Sequence, residues 1–189
     1  MPWLWIIVGA LALLALVAIY GYNRLVRLRQ EVGTGWANID VQLQRRTDLI
    51  PNLVEAVRGY AAHERAVFDE VTRARAALQQ ATTPGTAADA NEGLTAAIGR
   101  LFAVAEAYPD LKASENFLRL QDDLTDTEDK ISAARRYYNA TVMRFNTAVQ
   151  TFPWLLIAKP LRFHEREFFS AHGDVSVPEV AFSGGTPAA

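Results

Sequence analysis

The sequence contains two histidine–glutamate pairs, His63-Glu64 and His164-Glu165, which are the natural places to look for metal chemistry. A helical zinc-protease site needs a second histidine four residues after the first, so that both imidazoles lie on one face. Val67 and Phe168 occupy those positions instead. Without cysteine, and with three widely spaced histidines, a structural zinc site is also a poor fit. We therefore predict no metal site.

Carboxylates cluster between Asp122 and Asp129, as they would in a di-iron helical bundle. Such a site also uses Glu-x-x-His pairs, which are missing here, so we expect a solvated acidic surface. The sequence has neither a Gly-rich phosphate loop nor a Gly-x-Ser-x-Gly nucleophile elbow. These observations predict a protein that is not an enzyme, with no catalytic residue and no cofactor.

Two charged residues interrupt an apolar pattern that runs from Val32 to Leu78. Positions at alternating spacings of four and three are apolar or aromatic in twelve of fourteen cases, which indicates a long helix packed lengthwise against other helices. The exceptions are Arg46 and Glu64. The pattern keeps its phase across Pro51, so we expect one kinked helix that continues to about Gln80.

A charge at such a seam destabilises the fold unless it is paired, and a pair can fix the register of the helices. Arg46 has three open interpretations. In the first, it pairs with Glu128 or Asp126 of the facing helix, or with backbone oxygens released at the proline kink. In the second, Arg46 and Glu64 snorkel at the edge of the stripe, and in the third, Arg46 belongs to a ligand site. The residues of the predicted kink and polar seam are Arg46, Asp48, Pro51, Asn52, Glu64 and Glu128.

The first 23 residues predict a membrane anchor. No side chain from Trp3 to Tyr22 is charged, and twenty residues at about 1.5 Å each cover the ~30 Å hydrocarbon core of a bilayer. Trp3 and Trp5 at one end and Tyr20 and Tyr22 at the other suit the two aromatic belts. A cleaved signal peptide is the competing interpretation, but no Lys or Arg precedes the apolar run, so we expect an uncleaved span.

Basic residues follow the span on one side only, at Arg24, Arg27 and Arg29. The positive-inside bias then predicts a single-pass protein with its N-terminus outside and the remainder in the cytoplasm. The lack of cysteine agrees with a reducing compartment. A net charge of −2 gives no reason to expect nucleic acid as a partner.

Beyond the anchor (1–23), we divide the chain into a basic neck at 24–33, a helical bundle at 34–153, and a C-terminal apolar segment with a flexible tail at 154–189. Gly33 and Gly35 weaken helix formation where the neck joins the bundle. The tail begins beyond Ala171, where Gly, Pro and Ser predict extended or disordered chain.

The bundle segment predicts further helices. A loop from Ala81 to Asn91 precedes a shorter helix that ends at Tyr108-Pro109, and Ser114 is a suitable N-cap for a second long helix ending at Pro153. These helices must bury their apolar faces together. We predict an all-α fold, in which an N-terminal transmembrane helix is followed by an antiparallel up-and-down helical bundle of three to four long helices. Periodicity allows either a reversal or a bend at Tyr108-Pro109.

Two features near the C-terminal end are less ordinary. Tyr138-Asn139 and Phe145-Asn146 form a repeat seven residues apart, with an aromatic inward and an amide beside it. After Pro153, Trp154 to Ile157 form an apolar patch followed by Lys159, Arg162 and Phe163. That patch either contacts the bilayer surface or a partner, or packs as a satellite core against the end of the bundle.

Six stretches of the sequence closely resemble the signature of the bacterial LemA family. They are Val41 to Val54, Gly59 to Glu64, Glu106 to Ala113, Thr127 to Ile131, Ala134 to Asn139 and Phe145 to Thr147. The resemblance covers nearly the whole chain, and it departs from the usual pattern at Trp154 and Pro160. It implies a membrane-anchored protein with a cytoplasmic four-helix up-and-down bundle, and it brings no established reaction, cofactor or catalytic residue. Family members commonly lie beside genes for membrane proteases or other envelope proteins, which hints at such partners.

The expected function is therefore that of a scaffold or adaptor for envelope proteins at the inner membrane, which acts without catalysis. The alternative is a self-assembling protein that shapes or stabilises the bilayer. The expected partners are the lipid bilayer, membrane or envelope proteins, and further copies of the chain, and nucleic acid is not expected.

Overall fold

The computed structural model describes residues 2–61 and 63–170, and this part of the chain is helical and contains no strand. Its helices are α1 (Pro2–Arg58), α2 (Arg65–Gln80), α3 (Pro84–Ala105), α4 (Pro109–Lys112), α5 (Glu115–Gln150) and α6 (Leu155–Ala158). The predicted all-α fold is confirmed. The predicted tail beyond Ala171 lies outside the described residues.

Helix α1 carries the apolar N-terminal segment into the bundle without interruption. Its 57 residues correspond to a rod of about 85 Å. Pro51 lies inside this helix, so it does not separate two elements. The neck expected around Gly33 and Gly35 is also helical, and Gly35 is buried against Tyr138 of α5. The apolar N-terminal segment and the first helix of the bundle are therefore one continuous helix.

The prediction that the first long helix continues to Gln80 is wrong. Helix α1 ends at Arg58, and α2 begins at Arg65. The N–H groups of Tyr60 and Ala61 both donate to the carbonyl of Val57, which closes the last turn. Heptad spacing reports which face of a helix is buried, and in this sequence the spacing keeps the same phase on both sides of the turn. Val71 and Leu78 keep the buried phase because α2 packs beside α1.

The loop between α2 and α3 is also shorter than predicted, since α3 begins at Pro84 and not after Asn91. Thr83 is the N-cap, and it forms a reciprocal capping box with Thr86. The Thr86 N–H donates to Thr83 Oγ1 at 3.2 Å, and the Thr83 N–H donates to Thr86 Oγ1 at 3.1 Å. The Thr, Pro and Gly residues that suggested a loop therefore form the first helical turn.

The chain reverses between α3 and α5. Asn91 of α3 and Glu128 of α5 both contact Nη1 of Arg46, although they lie on opposite sides of the Tyr108-Pro109 connection. Phe102 and Phe117, nearer to that connection, pack edge to face at 5.9 Å between ring centroids. Residues of α3 and α5 that lie at similar sequence distances from the turn are therefore close together, as in an antiparallel hairpin. The chain reverses at Tyr108-Pro109 and does not merely bend there.

Helix α5 and the residues that follow it run antiparallel to α1 between Arg46 and Tyr20. The contacts that run towards the N-terminus of α1 are Arg46–Glu128 (2.7 Å), Trp36–Tyr138 (5.9 Å), Glu31–Arg144 (3.4 Å) and Tyr20–Trp154 (5.8 Å). The two helices also contribute buried side chains to a continuous apolar core. It includes Ile39, Ile50, Val142 and Phe145, all at most 1% exposed. Helices α2 and α3 pack together against α1 near its C-terminal end, which completes the four-helix bundle.

Candidate functional site: a polar layer and a membrane-proximal junction

A polar layer crosses the middle of the bundle and draws on all four long helices. Arg46 of α1 is only 4% exposed. Its Nη1 donates to Asn91 Oδ1 of α3 at 2.6 Å and lies 2.7 Å from Glu128 Oε2 of α5. Arg75 of α2 donates from Nε to the backbone carbonyl of Thr47, at 2.8 Å. Of the two carboxylates considered for Arg46, Glu128 is the one beside it.

The contact between Arg75 and Thr47 follows from Pro51. A proline has no N–H, so the carbonyl four residues earlier, that of Thr47, has no helical donor. Arg75 supplies that donor from the neighbouring helix, and Thr47 Oγ1 donates to the Gln44 carbonyl at 2.8 Å. Sequence reasoning did not single out Arg75. The signal that would have found it is the carbonyl released by Pro51, which requires a donor from a helix packed beside it.

The electrostatics of Arg46 are those of a structural pair. Burial lowers the pKa of Arg46 below its ordinary value, and the charge of Glu128 opposes that shift. Glu128 keeps 41% of its side chain exposed, so it reaches both the interior and water. The Nε of Arg46 is buried without a hydrogen-bond partner among the described residues. Through these contacts Arg46 joins α1 to α3 and α5.

The acidic stretch of α5 is neutralised by cations on the bundle surface. Arg45 lies 3.3 Å from Asp123 and 3.1 Å from Asp126, and Lys130 donates to Asp126 at 2.8 Å. The hydrogen bond from Lys130, together with the nearby charge of Arg45, holds the pKa of Asp126 below its usual range. Among the described residues, no three His, Asp or Glu side chains converge as a metal site would require.

The remaining seam residues do not join this layer. Asp48 accepts a hydrogen bond from Gln44 at 2.9 Å on the surface, and Pro51 and Asn52 are exposed beside it. Glu64 is exposed at the N-cap of α2 and makes no capping hydrogen bond with its side chain. Its predicted place on the seam of a continuous helix is wrong, because the chain turns between Arg58 and Arg65.

A second cluster lies where the apolar part of α1 meets the bundle. Helix α1 is long and apolar enough near its N-terminus to cross a membrane. Its aromatic residues Trp3, Trp5, Tyr20 and Tyr22 are all exposed. Gly21, by contrast, is buried beneath α6, and a Cβ added there would lie 2.6 Å from the ring of Trp154. Only glycine permits this close approach of α6 to the end of the apolar segment.

The basic residues after the apolar segment pack against aromatic rings of the returning chain. The guanidinium of Arg24 lies 5.9 Å from the ring centroid of Trp154, and that of Arg29 lies 5.2 Å from Phe163. Arg27 donates to the carbonyl of Asn23 at 3.4 Å. Phe163 is 6% exposed, so part of the C-terminal apolar segment forms a core with α1.

An extended segment, residues 164–170, then runs along α5 and is held by side-chain amides. Asn146 donates to the carbonyl of Arg166 at 2.9 Å and accepts from the same residue's N–H at 2.8 Å. Asn139 makes the equivalent pair with Phe169, at 3.1 and 2.9 Å. Tyr138 donates to the carbonyl of Glu167 at 2.8 Å. The aromatic–amide repeat in the sequence is therefore a clamp for the returning chain.

One protein family and several known proteins are similar to most of this chain. The profile described as the LemA family matches residues 35–182. The magnetosome protein MamQ of Magnetospirillum gryphiswaldense is 27% identical over 191 residues, an alignment that covers 85% of this chain and 70% of MamQ. MamQ 2 of Paramagnetospirillum magneticum is 26% identical, with coverage of 86% and 70%.

A protein that bears the family name is also similar. Protein LemA of Metamycoplasma hominis is 27% identical over 150 residues, which is 79% of this chain and 68% of that protein. The family profile spans most of the bundle, including the polar layer and the amide clamp. Together with the apolar N-terminal helix, these relationships indicate a single-pass, membrane-associated protein. The chain belongs to the LemA family.

Proposed function

We propose that this chain is a membrane-anchored scaffold or adaptor, which binds membrane or envelope proteins through the outer surface of its bundle and carries out no catalysis. The observation that supports this most directly is the continuity of α1 from the apolar segment to Arg58. About 50 Å of this rod extends beyond Tyr22, and α5 stiffens it along its length. A rigid helix of this length holds a binding surface at a fixed distance from the bilayer.

The interior of the bundle supports a role based on contact. Its buried polar groups at Arg46 and Thr47 are used to join helices, and their partners come from α2, α3 and α5. The surface, in contrast, presents exposed apolar side chains along the bundle at Val41, Tyr60, Leu118, Tyr137 and Met143. Tethering raises the local concentration of partners in the same membrane, so modest affinity at such positions is sufficient.

The proposed orientation places the N-terminus outside and the bundle in the cytoplasm, at the inner membrane. Residues 1–30 and 151–164 contain five basic residues and no acidic residue, and they meet beside the end of the apolar segment. The Lys and Arg residues at the bundle end of the span support retention of the bundle on the cytoplasmic side.

The test is isolation of the full chain in native lipid discs, followed by identification and counting of the proteins recovered. A surface variant, Val41→Glu with Met143→Glu, replaces two exposed apolar side chains and leaves the core intact. We expect specific proteins, or further copies of the chain, in fixed ratio with the parent, and their loss with the variant. An anchor-only chain of residues 1–30 controls for contacts made by the membrane segment. Recovery of isolated monomers at native abundance would contradict the proposal.

A second candidate function is shaping or stabilisation of the bilayer by assembled copies. The observation that favours it is exposed apolar surface at Phe152 and Leu156, next to the end of the apolar helix. This role predicts that the full chain, reconstituted at rising density, changes the curvature of vesicles seen by electron cryomicroscopy. Vesicles of unchanged shape at high protein density would exclude this role and leave the scaffold role standing.

A further inference from the structure

We propose that residues 152–161, here called the interfacial turn, form a second lipid-binding element that lies in the headgroup region beside the membrane span. This inference rests on the span and not on the scaffold role, so the two proposals can fail separately. It is carried by three observations, which concern the position of the turn, the division of its side chains and its charge.

The position of the turn is set by contacts with the end of the span. Trp154 packs 5.8 Å from Tyr20 and covers Gly21, and Ile157 also touches the Gly21 position. Tyr20 and Gly21 are among the last residues of the uncharged run, where a spanning helix leaves the hydrocarbon core. A turn that packs on these residues is therefore held at the depth of the lipid headgroups.

The side chains of the turn divide into two sets. Trp154 and Ile157 are half-buried against α1, and Ala158 is fully buried. Phe152, Leu156 and Leu161 face away from the protein and are 79%, 66% and 50% exposed. Large apolar side chains next to a membrane span are stabilised by entering the boundary between headgroups and acyl chains, about 5–10 Å into the interface.

The charges around the turn favour an anionic surface, such as that of acidic lipid headgroups, over a neutral one. Lys159 and Arg162 are exposed within or next to it, and Arg24 and Arg27 are exposed on the adjoining part of α1. No acidic residue occurs in 1–30 or 151–164, although acids exceed bases in the rest of the chain. An apolar group ringed by cations is the composition that binds anionic lipid headgroups.

The test uses single cysteines, because the chain has none of its own. Leu156→Cys is labelled with a fluorophore in the full chain, reconstituted into vesicles that contain anionic phospholipid. Quenching by lipids with a quencher on the acyl chain is compared with quenching by aqueous iodide. Leu14→Cys, inside the apolar segment, is the reference for lipid contact, and Leu118→Cys, at the start of α5, is the reference for water. All three positions are exposed in the monomer, so labelling preserves the packing.

We expect the label at position 156 to be quenched by the lipid several-fold more than that at 118, and to be shielded from iodide. Equal quenching at 156 and 118, with normal quenching at 14, would overturn the proposal. Shielding from both quenchers would also overturn it, since a protein surface or a second copy would then cover the turn. Lys159→Gln with Arg162→Gln should reduce lipid quenching at 156 in anionic vesicles. Unchanged quenching would overturn the role given to these two cations.

Discussion

Asn139 and Asn146 lie seven residues apart on α5 and bind two backbone positions, Phe169 and Arg166, that lie three residues apart. Seven helical residues rise about 10.5 Å, and three extended residues span about 10 Å. Each amide presents one donor and one acceptor, and so pairs with a backbone residue as a neighbouring strand would. The match of the two lengths fixes the register of the returning segment on the helix.

The first prediction concerns this clamp. Asn146→Ala removes two hydrogen bonds and should lower the free energy of unfolding of the C-terminal segment by about 1–2 kcal/mol. Hydrogen exchange in the full chain in mild detergent should show loss of protection at the Arg166 N–H. Asn38→Ala, at an exposed position of α1, controls for helix propensity and should leave this amide protected. Unchanged protection in Asn146→Ala would contradict the clamp.

The second prediction concerns the polar layer. Glu128→Ala leaves Arg46 buried without its carboxylate, and removing one partner of a buried pair costs ~3–5 kcal/mol. Because Glu128 is 41% exposed, we expect the lower end of that range, measured by chemical denaturation of the full chain. Asp129→Ala changes an exposed neighbour and should stay within about 0.5 kcal/mol of the parent.

A double-mutant cycle completes that test. Arg46→Met combined with Glu128→Leu should be less destabilising than the sum of the two single changes, because no unpaired charge remains in the layer. Additive single changes, or equal effects of Glu128→Ala and Asp129→Ala, would show that the pair does not hold the helices together.

The third prediction uses two glycines of the same helix. Gly33→Ala meets no atom within 4 Å and should raise stability by up to about 1 kcal/mol, since alanine is the better helix former. At Gly35 the added Cβ would lie 3.2 Å from the Cα of Tyr138, which cannot move without shifting α5. We expect Gly35→Ala to melt at a lower temperature than Gly33→Ala. Equal gains from both changes would contradict the close approach of α5 to α1.

The fourth prediction follows from Tyr138. Burial, reinforced by the charge of Glu167, raises the pKa of Tyr138 from 10.0 to about 12. A protonated Tyr138 therefore stabilises the fold below pH 10, and this contribution is lost as the pH rises from 10 to about 12. Across that window the parent should lose thermal stability relative to Tyr138→Phe. Tyr137→Phe, at an exposed position, should follow the parent, and parallel curves for all three proteins would contradict the shift.

Patterns that depend on a single helix face were predictable from the sequence. The uncharged run to Tyr22, the position of Arg46 on the apolar stripe and the start of α5 after Ser114 each follow from local composition or spacing. The turn after Arg58 was missed, because α2 continues the same apolar spacing in the opposite direction. Periodicity does not show whether α2 runs parallel or antiparallel to α1. In the sequence, only Gly59 marks the turn between them.

Features that depend on two distant segments were harder to predict. The donor to the Thr47 carbonyl follows only once α2 is known to fold back beside Pro51. The repeat at Asn139 and Asn146 was visible in the sequence, but its partner is a backbone, which leaves no mark in residue type. The sequence therefore indicated that these positions were unusual without indicating what they bind.

The proposed function requires that a membrane span holds this bundle on the cytoplasmic side. It is tested by a single cysteine at the exposed Tyr60, in the turn after α1, in sealed membrane vesicles of known orientation. A membrane-impermeant maleimide should label Tyr60→Cys in inside-out vesicles and leave it unlabelled in right-side-out vesicles. Labelling in right-side-out vesicles, or recovery of the chain in the soluble fraction, would contradict the account.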